Sequence, residues 1–229
     1  MMLPNQFSMA GKTVLLTGSE GLFGKIHKEV IKELGGKCIG IDIKGKPDYN
    51  LDVGRLYDVS NLASEIGSVI DVVINNAVGN QYAVVDPIAN WDRDIRTGLS
   101  GAMHVGIEFG EQMFKHKGKG VILNMGSDMG IIAPDHSLYD GKFKPISYSA
   151  VKHGIIGLSK YFATLWDGNI RSNCLCPGGI DVGQKVARSP MKRLAKTGEM
   201  KGAIAYLISD ASSFMTGQTL IVDGGRCAI

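Results

Sequence analysis

Cysteine is scarce and wrongly spaced for a metal. Cys38, Cys174, Cys176 and Cys227 are the only four, and none falls in the paired spacing of a zinc site, so no metal is expected. Cys174 and Cys176 stand one residue apart in an apolar run, which reads as two reduced thiols on one face of a strand. No stretch approaches the ~18 uninterrupted apolar residues of a spanning helix. Met1 to Lys12 holds no long apolar run of the signal-peptide kind, so a cytoplasmic protein is expected. Charge of one sign is also lacking: 25 Lys and Arg against 22 Asp and Glu leave a net +3. Nucleic-acid binding needs a concentrated basic face. The clusters Lys115, Lys117, Lys119 and Lys192, Arg193, Lys196 read as solvated helix ends and loops. Neither nucleic acid nor membrane is therefore expected as a partner. Proline is sparse, 7 against 31 glycines, and the glycines show no collagen period.

What the chain does have is apolar content, 44% of 229 residues, which excludes disorder and suffices for a core without staples. Short apolar runs alternate with helical patterns from end to end. The runs at Val14–Leu16, Lys37–Ile43, Val69–Ile74, Val121–Met125, Ile170–Cys176 and Leu220–Val222 are continuous rather than alternating, as in strands buried on both faces of a parallel sheet. A weak strand is expected near Asn50–Val53. Helices are expected at Leu22–Leu34, Leu56–Ile66, Trp91–His116, Ser147–Leu165 and Met200–Ile208, the first closed by Gly35-Gly36. Repeated βα units with short connections predict an α/β, doubly wound Rossmann fold with a mainly parallel seven-stranded sheet, one domain over 1–229.

The turn Thr17-Gly18-Ser19-Glu20-Gly21-Leu22-Phe23-Gly24 follows the first strand and opens the first helix. Gly18 permits the tight turn, Gly21 lets backbone approach a pyrophosphate, and Gly24 lets helix pack closely on strand, while the helix N-terminus offers N–H groups. Asp42 ends the second strand, about 20 residues beyond the turn, where a carboxylate can hold both ribose hydroxyls and repel the 2′-phosphate of NADP. Glu20 adds negative charge; Lys44 and Lys46 argue the other way. NAD is expected over NADP.

Further motifs follow in order: Asn75-Asn76-Ala77, Ser127 in Asn124-Met125-Gly126-Ser127, Tyr148-Ser149-Ala150-Val151-Lys152, Pro177-Gly178-Gly179 and Asp223-Gly224-Gly225. Together with the glycine turn they resemble the short-chain dehydrogenase/reductase family over Thr13 to Gly225. The resemblance implies a catalytic Ser127, Tyr148 and Lys152. It implies a cofactor held by Gly18, Gly21, Leu22, Phe23, Gly24 and Asp42, with Asp52 and Val53 at the adenine and Asn76 and Ala77 along the adenosine. Pro177, Gly178 and Ile180 would flank the nicotinamide, beside Tyr148 and Lys152. It also implies a homo-oligomer, dimer or tetramer, built on the long helices; Ala150, Gly154 and Gly157 suit either such contact or packing within the chain.

Tyr148 and Lys152, four apart, share one helix face. An ammonium beside a phenol lowers its pKa from about 10 toward the working range, so Tyr148 would act as general acid or base and Ser127 would donate to the reacting oxygen. The remaining histidines, His104, His116 and His153 among them, read as surface or packing residues.

Several features depart from the family. The glycine spacing is Gly-x-x-Gly-x-x-Gly; Gly98 stands where the family's helix asparagine is expected; Val182 replaces a threonine; and about ten residues from Asp42 to Asp52 leave no room for the usual helix. About 21 residues separate Ser127 from Tyr148, an enlarged loop carrying Asp135, His136, Tyr139, Asp140, Lys142 and Lys144, while the segment after Gly179 is short. A polar wall of this kind suits a hydroxyl-rich or charged substrate, and a surface insertion with no substrate role is the plain alternative. Turn, length and loop are also similar to short-chain oxidoreductases of bacterial surface-sugar and flagellin-glycan pathways. The expected function is NAD(H)-dependent hydride transfer between nicotinamide and a secondary alcohol or ketone, a sugar or nucleotide-linked sugar included. An NADPH-dependent ketoacyl-carrier reductase and a weakly catalytic NAD-binding scaffold or sensor are the competing readings.

Overall fold

Seven short strands form one parallel sheet in the order β3-β2-β1-β4-β5-β6-β7, in a computed structural model that describes residues 3–79, 82–183, 185–186 and 188–229. The strands are β1 (Thr13–Thr17), β2 (Lys37–Asp42), β3 (Tyr49–Asn50), β4 (Val72–Asn75), β5 (Gly120–Met125), β6 (Ile170–Pro177) and β7 (Thr219–Val222). After a short turn α1 (Leu3–Gln6), the helices are α2 (Leu22–Glu33), α3 (Leu56–Ile66), α4 (Trp91–Ile95), α5 (Gly101–Lys117), α6 (Ile146–Leu165) and α7 (Lys201–Ile208). Every pairing is parallel; β1 and β4 meet with Val14 opposite Val72 and Leu16 opposite Ile74.

Period-two alternation sends neighbouring residues of each strand to opposite faces. Val14, Leu16, Val72, Ile74 and Leu123 pack with Ile26, Val30 and Ile31 of α2 and Ile204, Leu207 and Ile208 of α7. Leu15, Ile39, Ile41, Val73 and Ile122 pack on the other face with α3, α5 and the Phe162–Trp166 end of α6. Both layers are buried, so the expected doubly wound parallel sheet is the observed one.

Three local expectations shift. β3 lies at Tyr49–Asn50, earlier than Asn50–Val53, and Val53 instead buries its side chain in the core. β4 begins at Val72, because residues Gly67–Val69 form a 3-10 turn. The helix expected over Trp91–His116 is interrupted by a π-helical turn at Arg96–Ser100. The connection from β2 to β3 holds no helix, as its length requires, and is pinned where Asp48 Oδ2 accepts the Gly40 N–H at 2.7 Å. On α6, Gly154 lies against Leu99 of the same chain, whereas Gly157 faces open space.

His27 sits on α2, fully buried, with neither ring nitrogen hydrogen-bonded. Burial pushes its imidazole down to about 3. The folded state thus takes up this proton far less readily than the unfolded chain, whose histidines titrate near ~6.5. Stability is full above that value and falls, by about 1.4 kcal/mol per pH unit, as the pH drops toward 3. Urea unfolding midpoints measured from pH 7 to pH 5 should decline more steeply in the wild type than in His27→Leu. Parallel declines would place the acid sensitivity elsewhere.

Candidate active site

The sheet order reverses between β1 and β4, and the carboxyl ends of these strands open a crevice there. Thr17 Oγ1 accepts the N–H groups of Asn76 and Ala77, each at 3.0 Å. Asn76 Nδ2 donates back to Thr17 O at 3.1 Å and Gly18 O at 2.9 Å. A Cβ on Gly18, whose φ is +64°, would lie 2.9 Å from Ala77 Cα, so the turn and the Asn75-Asn76-Ala77 segment are in direct contact. A Cβ on Gly24 would stand 2.3 Å from Gly18 O; helix α2 therefore packs on the turn itself. At Gly21 the nearest atom would be 3.4 Å away, so the fold does not demand glycine there. Gly21 caps α2 with no side-chain bond, which leaves first-turn N–H groups for an anion. That cradle fits the pyrophosphate of a dinucleotide. Leu22 is exposed beside it, while Phe23 turns into the core and rests 6.4 Å from the His27 ring, so only its backbone can serve a ligand.

Asp42 does more within the protein than the sequence reading allows. Its carboxylate accepts the N–H of Glu20 at 2.9 Å, of Ile43 at 2.8 Å and of Lys44 at 3.1 Å. A carboxylate has about four acceptor sites, so one remains rather than the pair needed to hold both ribose hydroxyls. Glu20 lies alongside: it pairs with Lys28 and accepts Ser19 Oγ at 3.1 Å, and the Lys28 ammonium holds its carboxyl below the usual range. Its side chain runs against Gly45, so two carboxylates line the end of β2. Asp52 Oδ1 accepts the Gly54 N–H at 2.9 Å and its other oxygen lies 3.5 Å from Arg96. The Val53 carbonyl meets His104 Nδ1 at 3.0 Å.

Across the crevice, α6 brings Tyr148 and Lys152 to Ser127, which follows β5. The Tyr148 phenol lies beside Ser127. Lys152 Nζ lies 5.7 Å from the Tyr148 ring centre and donates to Met125 O at 2.6 Å. The three expected catalytic side chains are thus gathered, but their electrostatics differ from expectation. Burial pushes the Tyr148 phenol up to about 12 and the Lys152 ammonium down to about 8, because removing either group from water disfavours its charged form. In the protein alone, the cations do not bring the phenol toward neutral pH. Ser127 also differs: its Oγ–H donates to Asp128 Oδ1 at 2.9 Å, while the hydroxyl accepts the Met129 N–H at 3.2 Å. Beyond Pro177, Gly178 donates to Val222 O at 2.9 Å, and Ile180, side chain buried, bridges to Ala195.

Asp128, Arg226 and Asp94 near the reacting groups escaped the sequence reading as site members, with Lys144 read only as part of the polar loop. Asp128 is buried and pairs with Arg226 at 2.6 Å. Lys144 holds its Nζ 4.2 Å above the Tyr148 ring, and burial lowers it to about 8. Its loop is anchored by the antiparallel bridge of Val84 to Phe143, two bonds of 2.8 Å. The buried Asp94 accepts Ser147 Oγ at 2.9 Å and so fixes the first turn of α6. Asp128 follows the serine directly and Arg226 follows the Asp223-Gly224-Gly225 motif, the one signal that could have found them. Gly98 lies in the π-turn, and a Cβ there would come within 2.8 Å of Val151; α6 stands where an asparagine side chain would go. Val182 is largely exposed. Cys174 and Cys176 are reduced, buried, and 3.7 Å apart on one face, as expected.

A glycine-cradled helix N-terminus at the switch point, facing a half-buried tyrosine and a buried lysine, defines an oxidoreductase of the doubly wound class. A family model described as enoyl-(acyl carrier protein) reductase matches residues 5–226. The chain belongs to the short-chain dehydrogenase/reductase family and is an enzyme of it. It is 31% identical to an NADP-dependent mannitol dehydrogenase of Hypocrea jecorina, over 96% of this chain and 93% of that protein. An NAD-dependent glycerol dehydrogenase of Listeria innocua is 28% identical, over 96% and 95%. The fold matches a short-chain dehydrogenase from Leptospira borgpetersenii with bound NAD+, at a TM-score of 0.86 and 24% identity, covering 99% of this chain and 97% of that one.

The two glycines of the turn should separate cleanly on substitution. Gly24→Ala forces a methyl into Gly18 O and should cost roughly 1–3 kcal/mol, with loss of dinucleotide binding. Gly21→Ala should leave the thermal midpoint unchanged and weaken only the cofactor. Thermal melts with and without NADH check both; equal melts for the two variants would contradict the close packing of α2 on the turn.

Proposed function

We propose that this enzyme transfers hydride between NAD(H) and a secondary alcohol or ketone of a polyol or sugar, with Tyr148 as general acid and base. The observation that carries the reading is Tyr148 and the buried Lys152 on one face of α6, Nζ 5.7 Å from the ring centre, beside the buried Ser127. A nicotinamide cofactor supplies or accepts the hydride. Tyr148 gives its phenolic proton to the carbonyl oxygen as the carbonyl carbon is reduced, and takes it from the hydroxyl in reverse. Lys152 is a buried ammonium beside the ring, placed to favour the phenolate once water is excluded. The first-turn N–H groups of α2 and the Gly18 backbone would hold the pyrophosphate, and the remaining acceptor site of Asp42 would hold one ribose hydroxyl.

NAD is favoured over NADP because Asp42 and Glu20 present two carboxylates where a 2′-phosphate would have to sit. The mannitol dehydrogenase relative is nonetheless NADP-dependent by name, so the preference rests on these two side chains. The polyol reading draws on the names of the mannitol and glycerol dehydrogenases and on the polar loop carrying Asp135, His136 and Lys144. An acyl-carrier substrate, suggested by the family model's description, is the competing reading, and it needs the NADPH that Asp42 opposes.

Fluorescence titration should give tighter binding of NADH than of NADPH, and Asp42→Ala should shift that ratio toward NADPH by about tenfold, the ~1.4 kcal/mol of one charge contact. An unchanged ratio removes Asp42 from the ribose site. Tyr148→Phe should lower oxidation of a polyol panel (mannitol, threitol, glycerol) by at least roughly 10²-fold while keeping NADH binding. Retained turnover would overturn the assigned acid and base.

A further inference from the structure

The enlarged loop between Ser127 and α6 carries an ammonium to the reacting phenol, and its backbone is built to hold it there. Phe143 and Val84 exchange two backbone hydrogen bonds of 2.8 Å, and the Ile146 N–H donates to Pro87 O at 3.0 Å. Lys144 is therefore clamped on both sides against the segment that follows β4. Pro145, between the two clamps, fixes its own φ and restricts that of Lys144. Further back, the rings of His136 and Phe143 meet edge to face at 5.6 Å. Asp140 pairs with Lys185, beyond β6. From this frame the Lys144 side chain reaches over Tyr148, with Nζ 4.2 Å from the ring centre.

Charge at this point is one-sided. Lys152 brings a second ammonium to the same ring, with Nζ 5.7 Å from its centre. The buried carboxylates among the described residues already have cations of their own. Asp128 pairs with Arg226 at 2.6 Å and Asp94 with Arg93 at 3.0 Å. Lys144 is half-buried, and the water it loses lowers its ammonium to about 8. A cation drawn out of water is costly until an anion joins it. The hydroxyls of a neutral polyol bring only dipoles, whereas a carboxylate brings a full charge and a stronger hydrogen bond. An ammonium has three donors, so a carboxylate can be added to the contacts that Lys144 already makes.

We infer that Lys144 is a specificity-determining residue that binds a carboxylate of the substrate, so that the enzyme selects sugar acids over neutral polyols. This rests on the proposed hydride transfer at Tyr148 and narrows its substrate class. Lys144 Nζ lies over the ring whose hydroxyl exchanges the proton, which places the acid group only a few bonds from the reacting carbon. In the oxidative direction that carbon gives its hydride to the oxidised nicotinamide cofactor, and its hydroxyl proton leaves through Tyr148. The product is the keto acid, with the carboxylate at Lys144 unchanged. A phosphate ester carries the same sign of charge; one ammonium matches the single charge of a carboxylate better.

The test is calorimetric titration of the full chain saturated with NADH, in which a hydroxy acid binds without reacting. Gluconate, galactonate and mannonate are compared with glucitol, galactitol and mannitol, with glucose 6-phosphate as the phosphate arm. At least one acid should bind about tenfold or more tighter than its alditol, as loss of one charged hydrogen bond requires. Lys144→Met should cut that ratio by about tenfold, and Lys144→Arg should restore most of it. The wild-type comparison needs no variant: alditols that all bind as tightly as their acids overturn the inference. Equal weakening of acid and alditol in Lys144→Met also overturns it, since a residue that only shapes the loop would act in this way. Tighter binding of the phosphate ester than of every acid overturns the carboxylate assignment. Undiminished turnover by Tyr148→Phe would instead sink the acid–base reading and leave these binding ratios as they are, so the two failures are told apart.

Discussion

The Thr17 hydroxyl and the Asn76 amide tie together two strands whose connections run in opposite directions from the middle of the sheet. Four hydrogen bonds between the turn after β1 and the segment after β4 hold that junction. A parallel sheet buried on both faces offers polar chemistry only where its strands end, and the ends of β1 and β4 are where neighbouring helices diverge. Everything needed for a dinucleotide depends on this junction staying closed: the left-handed Gly18, the uncapped start of α2 and the two carboxylates at the end of β2. Gly24 sets the approach of helix to turn, and Asp42 spends three acceptor sites holding the Glu20, Ile43 and Lys44 backbone in place. The cradle is made rigid by the protein's own polar groups.

Opposite the cradle, desolvation dominates. Lys152 is buried and Tyr148 half-buried, and each is pushed toward its neutral form by the water it loses. A phenol held near 12 serves as a proton donor and is no base until something favours its anion. The chain answers with polar order close by: Ser127 fixed by Asp128, Asp128 paired by Arg226, Lys144 above the ring. Buried ion pairs add little net stability compared with apolar packing, so the Asp128–Arg226 pair is better understood through the serine it orients.

Much of this was legible in the residues. Continuous apolar runs named six strands within a few positions, because both faces of this sheet are buried. The missing helix between β2 and β3 followed from arithmetic alone. The π-turn at Arg96–Ser100 was not legible, since Trp91 to His116 has an uninterrupted helical pattern; the turn lies where α6 packs so close that only a glycine fits beside Val151. Among the cofactor residues, Phe23 and Val53 were named from a motif, yet their side chains belong to the core. Asp42 was recognised as a ligand carboxylate without its backbone partners, Glu20 in the glycine turn and its own neighbours Ile43 and Lys44.

By itself the sequence determined the periodicities, the glycine turn with its following helix, and the tyrosine and lysine on one helical face. These are local properties, decided by neighbours within a few residues. Only the tertiary structure decided the protonation balance of Tyr148, the direction in which Ser127 donates and the partnership of Asp128 with Arg226, 98 positions away. Burial and hydrogen-bond direction are properties of what surrounds a group in space. Nothing in the spacing of residues along a chain specifies which distant guanidinium will close over a carboxylate.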